Sequence, residues 1–324
     1  MRKLVVLLFY FLLQGQVLHQ ASYDKSLPLS VPDDQIRPLR QLMDADLQKR
    51  LETRLNQNSA WAKLIKQKKM AVGLVDLSDS TRIKFARVNG SVMMYAASLP
   101  KLAILLAAFQ AFEEKSLEET PEILHDVKIM ISVSDNEAAT RMIDRMGFDK
   151  IASVLTDEKY KLYDPDWGGG LWVGKRYAHE GKRYPDPMLG LSHAATVTQV
   201  CRFYYLLAMG KLVSRERSRQ MLDILEDPDL HHKFVYMYDQ IVPEAKLYRK
   251  SGTWKQWHSD SVLIWGPLWR KYILATLVED SDGERICRDL VPAVEEVLKS
   301  RLLSRTGSSS LSRLSVVEDY GSDR

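Results

Sequence analysis

Residues 98–109 read Ser98-Leu99-Pro100-Lys101-Leu102-Ala103-Ile104-Leu105-Leu106-Ala107-Ala108-Phe109, and this stretch decides the fold. Every residue from Leu102 to Phe109 is apolar. A helix apolar on all sides belongs in an interior rather than on a surface. Pro100 stands where proline is tolerated in a first turn. Ser98 and Lys101, three residues apart at the helix start, share a face, which places Lys101 to reach the Ser98 oxygen. A serine hydroxyl is a poor nucleophile until a neighbouring base takes its proton. A lysine partly desolvated by an apolar helix has its pKa lowered toward that role, and the helix N-terminus favours negative charge near Ser98. By itself the S-x-x-K spacing is more often a capped helix with a surface lysine.

Outward from this helix the chain reads as two helices, about 121–133 and 137–146, the second stopped by Gly147. A long irregular region, 159–193, holds Gly168-Gly169-Gly170 and further glycines and prolines; a loop of that length in a compact protein is more often functional than not. Helices follow around 198–208 and 214–225, then strand-like runs at 245–249, 261–265 and 272–278, and a last helix over 284–298. Upstream, Leu42, Met43, Leu47, Leu51 and Leu55 mark one face of an amphipathic helix within 40–57. Residues 71–77 and 81–88 read as a hairpin turned at Asp79-Ser80. Neither strand group is large enough for a core of its own. One sheet assembled from both ends of the chain, with the helices inserted between, is the economical solution.

Two more segments complete a pattern with Ser98-Leu99-Pro100-Lys101. Ser134-Asp135-Asn136 lies between two helices, where Ser and Asp are also ordinary caps. Lys250-Ser251-Gly252-Thr253 ends a strand, where a turn glycine is also ordinary. S-x-x-K, S-D-N and K-T-G in this order, here with K-S-G last, form the signature of class A β-lactamases and penicillin-binding proteins. The chain thus resembles the class A-type serine β-lactamase family over about 42–298. The resemblance implies a β-lactamase/transpeptidase-like α+β fold: an antiparallel sheet flanked by helices beside a mostly helical lobe, about 98–225, within a catalytic domain of 40–300. It implies that Ser98 is the acylated nucleophile and Lys101 its activating partner. Ser134 passes a proton to the leaving nitrogen, and Asn136 binds the substrate amide. Lys250 and Ser251 hold the substrate carboxylate, with Gly252 and Thr253 beside them. The Ser98 and Thr253 N–H groups form the oxyanion hole, where one donor is typically worth roughly 3 kcal/mol.

The family's E-x-x-L-N segment, whose glutamate activates the deacylating water, is missing. Counting back from the helix start near Thr196 brings Glu180 to about that place, in Glu180-Gly181-Lys182-Arg183-Tyr184; a solvated loop charge is the plainer reading of it. Asp186 and Asp166 are weaker candidates. The 36 positions from Ser98 to Ser134 are short for the family, which predicts a trimmed helical lobe. Trp167, Trp172 and Tyr177 either line the cleft or pack the loop onto the body. Cys201 and Cys287 are either buried free thiols or a pair. His231-His232 reads as a surface pair.

The chain has 324 residues and carries 46 Lys and Arg against 42 Asp and Glu, a formal charge of +4. Without Arg2 and Lys3 the balance is 44 against 42, or +2, too neutral for a nucleic-acid binder working through a basic surface. Hydrophobic residues at 45% and charged residues at 27% exclude disorder throughout, collagen and coiled coil. Two cysteines exclude a disulfide scaffold and a four-thiolate zinc site. Arg2 and Lys3 ahead of ten largely apolar residues, 4–13, predict a cleaved signal peptide over 1–21 and no stable membrane span. Residues 22–39 form an N-terminal extension, and 301–324, rich in serine and mixed charge, are expected to be a disordered tail. The function expected is hydrolysis of β-lactams through an acyl-serine, in the periplasm or secreted, on a small-molecule substrate (a β-lactam or peptidoglycan-like acyl compound), with no cofactor and no metal. The alternatives are a D-alanyl peptidase, amidase or esterase of the penicillin-binding class, and a penicillin-binding sensor that stays acylated.

Overall fold

The computed structural model describes residues 27–314. The expected signal peptide, residues 22–26 and residues 315–324 lie outside the described residues. Two 3-10 turns lead into α1 (Ala45–Asn56) and α2 (Ser59–Lys66), followed by β1 (Met70–Asp76), β2 (Lys84–Val88) and β3 (Met94–Tyr95). The helical block opens with α3 (Lys101–Glu113), α4 (Pro121–Ser132), α5 (Asn136–Met146) and α6 (Phe148–Thr156). Four short strands, β4 (Tyr163–Asp164), β5 (Gly169–Gly170), β6 (Trp172–Val173) and β7 (His193–Ala195), precede α7 (Val197–Ala208) and α8 (Arg215–Leu225). Then come α9 (Phe234–Ile241), β8 (Lys246–Trp254), β9 (Trp257–Trp265), β10 (Lys271–Glu279) and α10 (Gly283–Leu314).

The main sheet runs β2-β1-β10-β9-β8, antiparallel throughout, so strands from both chain ends meet at the β1–β10 pair. Helices cover both faces. On one face α1, α9 and α10 bury Leu47, Leu51, Leu55, Phe234, Tyr238, Leu290 and Val294 against Val72, Leu74 and Val262. Fully burying one such aliphatic side chain is worth roughly 1.5–3 kcal/mol. Asp44 caps α1 by accepting from the Leu47 N–H at 2.8 Å. On the other face the helical lobe packs around α3, whose residues Leu102 to Phe109 are all buried. Its lack of a polar face, read from the sequence, is the reason it can sit at the centre of that lobe. α7 lies close on the sheet: a Cβ at Gly73 of β1 would stand 2.7 Å from Cys201 Sγ. Cys201 and Cys287 belong to the two separate cores and both are free, so they do not pair.

Several expectations need correction. Leu42 and Met43 precede α1 rather than sit on its buried face; Leu42 ends a 3-10 turn and Met43 is exposed and bridged to Phe85. Residues 81–83 are a turn, because Asp79 accepts from both the Thr81 N–H and its hydroxyl, which competes with a strand ladder. β8 continues through Thr253 to Trp254, so the Lys250–Thr253 segment lies within a strand. α10 carries on to Leu314, past the point where a disordered tail was expected; extending an existing helix costs far less than nucleating one. α2, α6 and α9 were missed. α2 and α9 have eight residues each, and the composition Phe-Val-Tyr-Met-Tyr in α9 is that of a strand, overridden here by packing. Among the described residues, no helix is long and apolar enough to cross a membrane.

Candidate active site

Ser98 stands half-buried just ahead of α3, at the floor of a cavity of about 630 Å³ between the sheet edge β8 and the helical lobe. Its backbone is set from three sides. Ala97 has a φ of +50°, a conformation rare for a side-chain-bearing residue. The Ala96 N–H donates to the His193 carbonyl at 2.9 Å, tying the segment to β7. Ser259 Oγ donates to the Ala96 carbonyl at 2.8 Å, tying it to β9. Gly252 of β8 comes so close that a Cβ there would be 2.4 Å from the Ala96 oxygen and 2.6 Å from the Ser98 nitrogen.

Lys101 is fully buried in the first turn of α3. Its Nζ donates to the Ser134 carbonyl at 2.6 Å, to Asn136 Oδ1 at 2.8 Å and to Ser134 Oγ at 3.3 Å. The Ser98–Lys101 hydrogen bond expected from the spacing is not among these. Burial pushes the Lys101 amine down to about 7, opposed by the Asp135 charge. The Tyr177 ring lies 4.6 Å from Nζ and closes this side of the pocket.

Ser134 has a φ of +61° in the turn between α4 and α5, held there by the Asp135 N-cap on Ala138 at 2.6 Å. Its hydroxyl therefore sits between two lysines, with Lys250 Nζ at 2.8 Å on the other side. Burial, reinforced by the charges of Lys101 and Arg249, holds the Lys250 amine well below the usual lysine range. Asn136 and Thr253 line the cavity with Ser98. Ser251 does not: its Oγ is 3.2 Å from His232 Nε2, beneath the strand. His232 is therefore a support for β8 and not half of a surface pair.

Two further residues, Lys233 ahead of α9 and Arg249 within β8, were not singled out from the sequence. Lys233 is fully buried and donates to Gly252 O at 2.6 Å, Thr253 Oγ1 at 2.8 Å and Ser259 O at 3.1 Å. Burial lowers its pKa. Arg249 pairs with Asp260 through two bonds, 2.7 and 2.9 Å, both side chains buried.

The structure does not bring the three carboxylates proposed for deacylation into the cavity. Glu180 is exposed and does not line it. Asp186 is buried, but in its own loop, where it accepts from the Tyr163 hydroxyl and the N–H groups of Met188, Leu189 and Leu191. Asp166 is exposed in a 3-10 turn. The aromatic residues divide: Tyr177 lines the cavity and donates to the Ala97 carbonyl at 3.3 Å, Trp172 packs the loop, and Trp167 lies under Arg40. His193 also lines the cavity, with both ring nitrogens engaged, by Ser192 Oγ and the Lys175 carbonyl, each at 3.1 Å. Burial brings it down to about 4.

A serine at the start of a buried helix, two buried lysines sharing a second serine, and a close-packed strand glycine define the β-lactamase/transpeptidase-like class. The sequence profile of the Beta-lactamase enzyme family matches residues 50–128 and 118–297, and the chain belongs to that family. Among solved structures it is similar to PBP-A, at 18% identity over 79% of this chain and 97% of that one, TM-score 0.57. It is also similar to a β-lactamase from Sphaerobacter thermophilus (17% identity, 78% and 96% covered, TM-score 0.57). A class A β-lactamase from Bacteroides cellulosilyticus has the same fold (15% identity, 79% and 100% covered, TM-score 0.58). No curated protein sequence matches the chain.

Proposed function

We propose that this chain is an exported serine hydrolase that is acylated at Ser98 by β-lactams and related acyl compounds bearing a carboxylate, and released by water. The observation that carries the reading is the Ser134 hydroxyl held between Lys101 and Lys250. In acylation Ser98 Oγ attacks the lactam carbonyl carbon and gives its proton to neutral Lys101. The C–N bond then breaks, and the nitrogen takes a proton from Ser134, which regains one from Lys101. The N–H groups of Ser98 and Thr253 receive the oxyanion, with Gly252 allowing β8 to come near enough. Lys250 and Thr253 hold the substrate carboxylate, and Asn136 the amide of the acyl side chain. An amine near 7 is poised to accept a proton at neutral pH and to return it. With Glu180, Asp166 and Asp186 outside the cavity, Lys101 serves as the base for the water as well.

The absence of a carboxylate among the cavity-lining residues favours a second reading, in which the acyl-enzyme persists and the chain is a penicillin-binding protein. A PBP-A mutant solved as its acyl-enzyme with penicillin G shares 20% identity with this chain, at TM-score 0.57. Intact-mass measurement after mixing with benzylpenicillin separates the two. An adduct that forms and then decays supports the hydrolase, and one that stays supports the second reading. No adduct on the unchanged chain, or an adduct retained by Ser98→Ala, would overturn the acyl-serine assignment.

A further inference from the structure

The loop in which a deacylating glutamate was expected has a different character. It reads Lys175-Arg176-Tyr177-Ala178-His179-Glu180-Gly181-Lys182-Arg183, with four cations and one carboxylate. Its neck is closed: the Tyr184 N–H donates to the Gly174 carbonyl at 2.7 Å, and the Gly174 N–H to Ser192 O at 2.6 Å. A Cβ at Gly174 would stand 2.0 Å from the Tyr184 oxygen, so the two ends are in backbone contact. Tyr177 pins the middle inward, on His193 and against the Ala97 carbonyl. A pinned loop of this kind presents its remaining side chains at a fixed place, the mouth of the cavity.

Lys175, Arg176, His179 and Arg183 all line that cavity with Ser98, Asn136 and Thr253, and no acidic residue lines it. Arg176 is committed to Asp144. Lys175 Nζ donates to the His179 carbonyl at 3.0 Å, and Arg183 donates to the Gly190 carbonyl at 3.1 Å. Neither has a carboxylate partner among the described residues. Glu180, the one acid of the loop, is exposed away from the cavity. The proposed carboxylate-binding end, Lys250 and Thr253, is on β8, of which Thr253 lines the cavity.

We propose that the cleft selects acyl donors with two negative charges, one held at Lys250 and Thr253 and the second, on the acyl side chain, held by Lys175 and Arg183. This rests on the acyl-transfer reading and adds a substrate class to it. A cleft lined by charges of one sign draws the opposite sign in and raises the rate of encounter, steeply at low ionic strength. Arg183 offers a planar fork suited to a carboxylate, and Lys175 a point charge. Exposed pairs of this kind are individually weak, so the combined preference is about fivefold rather than absolute.

The test compares acylation rate constants for benzylpenicillin, a monoanion, and carbenicillin, the same drug with a second carboxylate on its acyl side chain. On the unchanged chain carbenicillin should react about fivefold faster at low salt, with the two converging at high salt. In Lys175→Gln/Arg183→Gln the ratio should fall to about one at all salt concentrations. Equal rates on the unchanged chain, or a preference that survives in the double variant, overturns the inference. If neither drug reacts, the acyl-transfer reading has failed, and the charge preference is decided by equilibrium titration. N-acetyl-glutamyl-alanine should then bind more tightly than N-acetyl-glutaminyl-alanine, and equal affinities overturn it.

Discussion

Gly252 carries the sharpest constraint on any single residue of the site. Its missing side chain is what lets β8 touch the Ser98 backbone, since a methyl there meets two main-chain atoms at 2.4 and 2.6 Å. Backbone cannot rotate away as a side chain would, so Gly252→Ala must push the strand and the serine apart. Losing the register of one oxyanion donor costs roughly 10²-fold or more. Gly252→Ala should therefore slow adduct formation by about that factor while far-UV circular dichroism stays unchanged; an unaltered rate would mean that β8 and Ser98 do not share the oxyanion site. That Ser98, Lys101, Ser134, Asn136, Lys250 and Gly252 come together in space was legible, because their spacing and local context are read directly from the chain. Glu180 was misplaced because counting back from a helix start assumes the intervening loop keeps its path, whereas here Gly174 and Tyr184 pinch it into a separate excursion.

At the scale of elements, β8 is held from below by a segment with no regular structure, Leu230 to Lys233, ahead of α9. The Leu230 carbonyl accepts from Arg249 at 3.0 Å, His232 meets Ser251, and Lys233 clamps three oxygens of the hairpin. Lys233→Met would keep the volume and leave Gly252 O, Thr253 Oγ1 and Ser259 O short of a donor. Such orphaned acceptors cost about 1–3 kcal/mol. Urea unfolding should show a loss of that size, and acylation should slow as the strand loosens. A variant as stable as the parent would show that desolvating the ammonium costs as much as its bonds return. The clamp was invisible beforehand because its partners are 19 to 26 residues away and mostly main-chain oxygens, which leave no trace in side-chain pattern. The sheet strands and α3 were visible because their burial follows from their own composition.

For the whole molecule, the buried bases set a pH dependence. His193 and His232 lie near 4 in the folded chain against an ordinary value of 6.5, through burial. Between those values the unfolded chain binds protons that the folded chain refuses, so stability falls as pH drops from about 6.5 toward 4. Lys101, near 7 against 10.5, acts the same way in a higher window, and stability continues to rise above neutrality. Melting temperature should climb from pH 5 to pH 8. A flat profile, or one that falls over this range, would mean that these groups are charged in the folded state.

The pairing of β1 with β10 matches Met70 to Val278 and closes the sheet across the entire helical lobe. Such sequence-distant pairing makes for high contact order and slow folding. During synthesis Ser98 emerges long before Lys250, Gly252 and the strands that hold them. A ribosome-bound or truncated chain ending before β8 thus contains Ser98 and Lys101 but neither Lys250 nor Gly252, both of which lie in β8. On the acyl-serine proposal, reactivity toward a β-lactam would be acquired only at the end of translation, and covalent labelling of Ser98 would double as a readout of whether the final strands have docked.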